Sequence, residues 1–295
     1  MTEADPHGRA PWLMLGASFQ FALMGVCVKL AAAQYAAGEI VMYRSLVGAV
    51  TMAAMVWWRG GTLRTTIPGM HAWRAAVGVA ALVLWFTALG GSLPLATAMT
   101  LNYMSSVWMA LFLIGGSIVA GGARVDSRLV AAVLVGFAGV ALVLRPTIDQ
   151  QQLWHGFIGL ISGVLSALAY LQVTALGRAG EPEERTVFYF SAGGVLAGFA
   201  LTLPQGFGGH SLRGLALLLA VGLLATSAQL MMTRAYAIGR TLSNATLQYA
   251  GIAFSFLFGW LIFDDAMTPM AVAGIVLIVG AGLAATLLRA RMTMP

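Results

Sequence analysis

Charge is what this sequence has least of. Only 9% of its 295 residues are charged, while 60% are hydrophobic. A soluble domain carries about 25% charged residues, and a chain this poor in them cannot cover a water-facing surface. Cysteine is nearly absent: Cys27 stands alone inside an apolar run, which excludes an intrachain disulfide and leaves the redox compartment open. There is no Gly-Lys-Ser phosphate loop, no nucleophile elbow and no paired-acid constellation, so ATP-driven pumping and hydrolase chemistry have no support. His71, His155 and His210 cluster with neither Cys nor carboxylate at ligand spacing, and no metal site or cofactor is expected. Basic residues outnumber acidic ones, 16 to 10, but they stand singly between apolar runs rather than in a stripe, which argues against nucleic-acid binding.

What is present is long apolar runs. A bilayer core needs about 20 apolar residues per helix, and cutting at charge, Pro and Gly clusters predicts ten spans, at 12–33, 38–58, 72–91, 95–120, 128–145, 153–177, 185–204, 212–232, 241–263 and 268–288. The runs are continuously apolar instead of alternating, which predicts helices rather than barrel strands. With the N-terminus inside, twelve arginines fall in cytoplasmic segments: Arg9, Arg59, Arg64, Arg74, Arg124, Arg128, Arg178, Arg185, Arg234, Arg240, Arg289 and Arg291. Only Arg145 and Arg213 fall outside, so the positive-inside rule puts both termini in the cytoplasm. Glu3 and Asp5 beside Arg9, and the lack of a small-residue cleavage site, argue against a removable signal peptide. The expected place is a bacterial inner membrane, crossed many times.

The chain also repeats itself. Thr100-Leu101-Asn102-Tyr103 recurs as Thr246-Leu247-Gln248-Tyr249, 146 residues on, and Leu144-Arg145 recurs as Leu288-Arg289 after 144. Residues 1–147 and 148–295 therefore read as two copies of a five-helix unit. An odd span count makes the second copy enter the membrane from the opposite side, so the expected fold is all-α, ten transmembrane helices in two inverted five-helix repeats. Secondary transporters use that architecture to expose one site alternately to either face.

Charges inside spans cost at least about 2.5–3.5 kcal/mol each. Lys29 and Arg44 are the charges expected well inside spans. In the bland reading Lys29 snorkels to the headgroups and Arg44 pairs with Glu39; in the sharper one, one or both hold a substrate carboxylate. No Asp or Glu lies near the middle of a span, which suits an anionic or zwitterionic small molecule better than a cation. Gln20, Tyr43, Trp85, Asn102, Tyr103, Tyr170, Gln172, Gln248 and Tyr249 join Arg44 as candidate substrate-binding residues, with Lys29 and Glu39 as possible charge partners. Buried amides need partners, either on another helix or in a wet cavity. The cavity is expected where the first and fourth spans face the sixth and ninth. Trp57, Trp58, Trp73, Trp154 and Trp260, near span ends, read as interfacial anchors.

Ala88-Leu89 and Ala235-Tyr236 each end a helix before a small polar turn, a Leu-rich span and a Gly-rich closing span, Val133 to Leu144 and Leu277 to Leu288. In this the chain resembles the drug/metabolite transporter superfamily, in its ten-helix branch with two EamA-type repeats. Within it the chain is similar to bacterial exporters of amino acids and related metabolites, those of the YddG type for aromatic amino acids included. The resemblance implies a central cavity between the repeats and the export of small metabolites, amino acids first among them. Family members often carry a Glu after the fourth and ninth helices; here Arg124 and Asp126 stand in the first place and Asp264-Asp265 in the second. Import or exchange of another small organic anion is the alternative within transport. An intramembrane enzyme or a receptor is the alternative from another class, although neither a catalytic constellation nor a loop longer than about 15 residues is present. The partners expected are a small-molecule substrate and membrane lipid; the oligomeric state stays open.

Reporter fusions test the topology. An alkaline phosphatase fused to either terminus should be inactive and a fluorescent protein bright, and an active external reporter at either end would overturn ten spans.

Overall fold

The computed structural model describes residues 6–119, 131, 134–136, 138–139, 142, 150–239, 244, 247–265 and 268–292. These residues form helices and connecting turns, with no strand among them. In chain order the helices are α1 (Pro6–Ala31), α2 (Ala37–Trp58), α3 (Pro68–Gly90), α4 (Leu95–Tyr103), α5 (Ser105–Val119), α6 (Gln150–Arg178), α7 (Glu183–Thr202), α8 (Leu212–Ile238), α9 (Ala250–Phe263) and α10 (Pro269–Met292). Arg9–Ala31, Ala37–Trp58, Pro68–Gly90, Gln152–Arg178 and Leu212–Ile238 are each long and apolar enough to cross a membrane. The segments Ala250–Phe263 and Val272–Ala281 are apolar but shorter. Large apolar side chains face outward, Trp57 at 84% and Trp58 at 90% exposure among them, as a lipid-facing surface requires. Most of the expected fifth span, 128–145, lies outside the described residues, as do Arg124, Asp126, Arg128, Arg145, Arg240 and the first residues of the expected ninth span.

Local chemistry sets several boundaries. Pro68 occupies the first turn of α3, where its missing N–H costs nothing. Ser211 caps α8 by accepting from Gly214 N at 3.0 Å. The expected fourth span divides at Met104 into α4 and α5. An equivalent interruption precedes α9, where Gln248 and Tyr249 form a turn, so the two breaks fall about 146 residues apart like the Tyr103 and Tyr249 beside them. Asp265 joins three elements. Its carboxylate accepts from Leu95 N at the start of α4 (2.8 Å) and lies 3.8 Å from Lys29 Nζ. Lys29 also donates to Leu93 O at 2.8 Å and stands 5.0 Å from the centre of the Phe263 ring. Lys29 thus ties α1 to the ends of α4 and α9.

The packing is reciprocal. α1 lies along α8 and α3 along α6; α2 touches α8 and α3 touches α7; α1 meets α9 and α6 meets α4. Through the middle α2 crosses α7, and the contact there is nearly self-matching. A Cβ added at Gly48 would stand 2.6 Å from Ser191 Oγ, and one at Gly194 would collide with Ser45 Oγ. Each helix therefore offers a glycine to the other's serine, and the two glycines stand 146 residues apart in sequence, as do the two serines. Close approach of this kind is how helices associate where lipid removes the usual hydrophobic drive.

That crossing makes a reciprocal prediction. Gly48→Ser should lower the melting temperature of purified protein through overpacking, by about 1–3 kcal/mol, and adding Ser191→Gly should recover most of the loss. Additive losses in the double variant would show that the two residues do not meet.

Candidate binding cavity

Helices α1, α2, α3, α4, α6, α7 and α8 surround a narrow cavity of about 40 Å³, joined by Gln248 from the turn before α9; a substrate would have to widen it by moving its walls. Two arginines enter it near the starts of their helices, Arg44 from α2 and Arg74 from α3, and both are buried, at 4% and 3% exposure. Their guanidinium carbons lie 4.9 Å and 4.2 Å from the centre of the Phe190 ring on α7. Gly78, one turn beyond Arg74, makes room: a Cβ there would collide with Arg74 Nη1.

These cations are poorly compensated. Among the described residues no Asp or Glu lines the cavity and neither arginine is in an ion pair. Nε of both and Nη1 of Arg74 lack hydrogen-bond acceptors. A cation over an aromatic face recovers about 0.5–2 kcal/mol, less than the cost of holding an arginine away from water. The remaining deficit is one that an anion entering the cavity would relieve.

The other walls are aromatic with a few polar groups. Phe21 and Trp85 meet edge to face at 6.3 Å, and Tyr170 stacks on Tyr236 at 5.6 Å. Gln248 Nε2 donates to Tyr236 Oη at 3.2 Å. Gln248 Oε1, Trp85 Nε1 and Tyr103 Oη are buried without partners, and Gln229 and Ser166 complete the polar lining.

Of the residues singled out in the sequence, the cavity brings together Arg44, Trp85, Tyr103, Tyr170 and Gln248. The others stand elsewhere. Asn102 donates to Ser162 Oγ and Ser166 Oγ, both at 3.0 Å, and so joins α4 to α6. Gln20 Nε2 lies 3.5 Å from Met231 Sδ. Tyr43 Oη lies 3.0 Å from His210 Nε2 at the end of the bundle, Tyr249 is buried beside the break before α9, and Gln172 is half-buried on α6 outside the cavity. Glu39 does not pair with Arg44; it accepts from Gly208 N at 3.0 Å. Lys29 pairs with Asp265 instead.

Sequence reasoning missed Arg74 and Phe190. Arg74 counted as a cytoplasmic loop charge because it stands at the end of an apolar run. Arg74 stands only two residues into the expected span 72–91; with Pro68 as a first-turn residue α3 begins four residues earlier, which puts Arg74 nearly two turns inside it. Arg74 therefore leaves the set of inside loop charges. Phe190 gives no sequence signal, being one aromatic among many apolar neighbours. The cavity also draws on α2, α3, α7 and α8 and not mainly on the first, fourth, sixth and ninth spans, because apolar and small side chains such as Gly78 and Ala81 build walls that a search for amides overlooks.

Each end of the bundle is tied across its two halves. At one end Glu181 accepts from Thr65 Oγ1 (2.8 Å) and Arg185 Nη1 (2.9 Å), with His71 Nε2 3.3 Å away. Arg185 also donates to Thr62 O (3.1 Å) and Tyr189 to Leu63 O (2.9 Å), which pins the α2–α3 loop to the α6–α7 turn. At the other end Gln34, Tyr35, Glu39 and Tyr43 hold the α7–α8 loop at Gly208–Ser211.

The family model described as the EamA-like transporter family matches residues 9–145. A pseudopaline exporter of Pseudomonas aeruginosa (strain UCBPP-PA14) is 31% identical over 268 residues, covering 91% of this chain and 92% of that protein. A riboflavin transporter of Rhizobium johnstonii is 30% identical over 224 residues, 75% of this chain and 71% of that one. A solved structure, described only as the crystal structure of a protein, superimposes with a TM-score of 0.71 at 18% identity over 98% of this chain and 100% of its own.

The Glu181 cluster generates a pH prediction. Burial raises the Glu181 pKa, but hydrogen bonds from Thr65 and Arg185, the Arg185 charge and His71 outweigh it and hold it below the ordinary glutamate value. A depressed carboxylate contributes stability at pH above its unfolded value, near 4.3, and loses it as pH falls through the folded value. The melting temperature should therefore fall on acidification below that point, and Glu181→Gln should flatten that fall while lowering stability at neutral pH by about 1–3 kcal/mol. An unchanged acid limb in Glu181→Gln would remove the cluster from the explanation.

Proposed function

Since the chain belongs to the EamA-like transporter family, we propose that this membrane transporter of small molecules exports amino acids or closely related metabolites through the cavity at Arg44 and Arg74. It is not an enzyme. The observation that carries the reading is the pair of buried guanidiniums on one phenylalanine, with neither an ion-pair partner nor an acid in the cavity lining among the described residues. A carboxylate would dock on one of the two guanidiniums, Arg44 or Arg74, where charge-assisted bonds are strongest. An amino group would reach Gln248 Oε1, and an apolar or aromatic side chain would pack on Phe21, Trp85, Tyr103 and Tyr170.

The same reading assigns the chain ten spans in two inverted repeats, residues 1–147 and 148–295, with both termini in the cytoplasm of a bacterial cell. The reciprocal helix packing, the glycine–serine crossing of α2 and α7 and the paired breaks at Met104 and Gln248–Tyr249 support it. Transport then proceeds by rocking one repeat against the other about the cavity, so that the ties at the two ends alternate. The exporter named among the relatives supports outward movement, and the named riboflavin transporter fits a cavity walled by aromatic rings. The alternative of exchange or import of another small organic anion is favoured by one observation: among the described residues no carboxylate lines the cavity to carry a coupling proton.

Purified protein in liposomes loaded with labelled amino acids, nucleosides and organic acids tests the proposal. Amino acids should leave faster than from empty-vesicle controls, and the variant Trp85→Ala should slow them several-fold. Efflux confined to nucleosides, or absent for every solute, would end the amino-acid reading.

A further inference from the structure

The cavity's charge balance goes further than its family membership. Arg44 and Arg74 sit on the same aromatic ring, buried, without an ion pair among the described residues and with nitrogens that lack any acceptor. One carboxylate satisfies one guanidinium well, in a two-bond fork; it leaves the second cation buried and still unpaired. An ordinary zwitterionic amino acid is worse placed, because it brings a cation of its own into a cavity where no acid among the described residues receives it. Acceptors for an amine are neutral: the amide oxygens of Gln229 and Gln248, the Ser166 hydroxyl and the aromatic faces. A substrate with two acid groups balances both arginines.

We propose that the cavity selects a dicarboxylate, one carboxylate on Arg44 and the other on Arg74, carried on an apolar or aromatic frame that packs beside Phe190 and Trp85. This rests on the reading of the cavity as the transport site and narrows its substrate from amino acids in general to diacids. The bound pair of charges is neutralised in place, so the empty cavity is the repulsive state and the loaded one the relaxed state. Removing either arginine then has two opposite effects: the empty protein loses a buried, unpaired charge and gains stability, while selectivity for the second carboxylate disappears.

The test follows thermal unfolding of the full chain in lipid nanodiscs with matched probes at constant ionic strength: glutamate against glutamine, and phenylsuccinate against its mono-amide. In the wild type each diacid should half-saturate at roughly tenfold lower concentration than its amide, the worth of one charge-assisted pair. Arg44→Gln and Arg74→Gln should each bring diacid and amide to within about twofold, and without any probe each should melt at or above the wild-type temperature. Arg74→Lys, which keeps the charge, should keep part of the preference. Equal response of the wild type to diacids and amides, or a preference that survives both glutamine variants, would overturn the inference. Efflux from liposomes separates this failure from that of the underlying reading: glutamine and phenylalanine leaving as fast as glutamate would discard the diacid requirement and keep an amino-acid transporter. Failure of every probe to bind or to leave would discard both.

Discussion

The close crossing of α2 and α7 fixes the register on which the cavity depends. Ser45 fits against Gly194, and Ser191 against Gly48. The residues just before those serines are Arg44 and Phe190, so the contact that locks the two helices also puts the guanidinium on the ring. A larger side chain at either glycine would push the helices apart and lift the cation off its only aromatic support in α7. Packing comes first here, and the electrostatics of the site are a consequence of it. Arg74 completes the arrangement from α3, over a glycine that leaves its path clear.

The polar interior follows one rule: where water is scarce, each buried donor or acceptor needs a partner in the protein or in a ligand. Most of the interior obeys it locally. Thr100, Thr202, Thr226 and Ser255 bond to the carbonyl one turn back, and Asn102 finds two serines on α6. Exceptions occur at the cavity, at Arg44, Arg74, Trp85, Tyr103 and Gln248, and also away from it, at Ser45, Ser105 and Thr233 among others. What sets the cavity apart is that its unmatched groups include two guanidiniums.

Much of the fold was legible because long apolar runs leave few alternatives to membrane-length helices. Eight of the expected spans find described helices close to their stated bounds, allowing for the break at Met104. The cavity was legible only in part. Arg44, Trp85, Tyr103, Tyr170 and Gln248 stood out as polar or aromatic groups in apolar surroundings, and they do meet. Gln20, Asn102 and Gln172 stood out for the same reason and point elsewhere, since sequence shows that an amide is buried without showing which neighbour it meets. Arg74 was hidden by a boundary set four residues late. Lys29 was misjudged for a different reason: its partner Asp265 lies far along the chain, and only the folded arrangement of α1, α4 and α9 brings the two together.

Arg44 and Phe190 have one more property: on the proposed repeat reading they are the same position in two copies, 146 residues apart. An ancestral half-length protein assembling as an antiparallel homodimer would have faced either two arginines or two phenylalanines across that crossing. The first lacks the ring and the second lacks the charge. On that reading, fusion into one chain would let a single position diverge, so that one copy supplies the cation and the other its platform. The consequence is practical as well as historical: neither half, duplicated and rejoined to itself, could rebuild this cavity, and its chemistry belongs to the asymmetry between the halves.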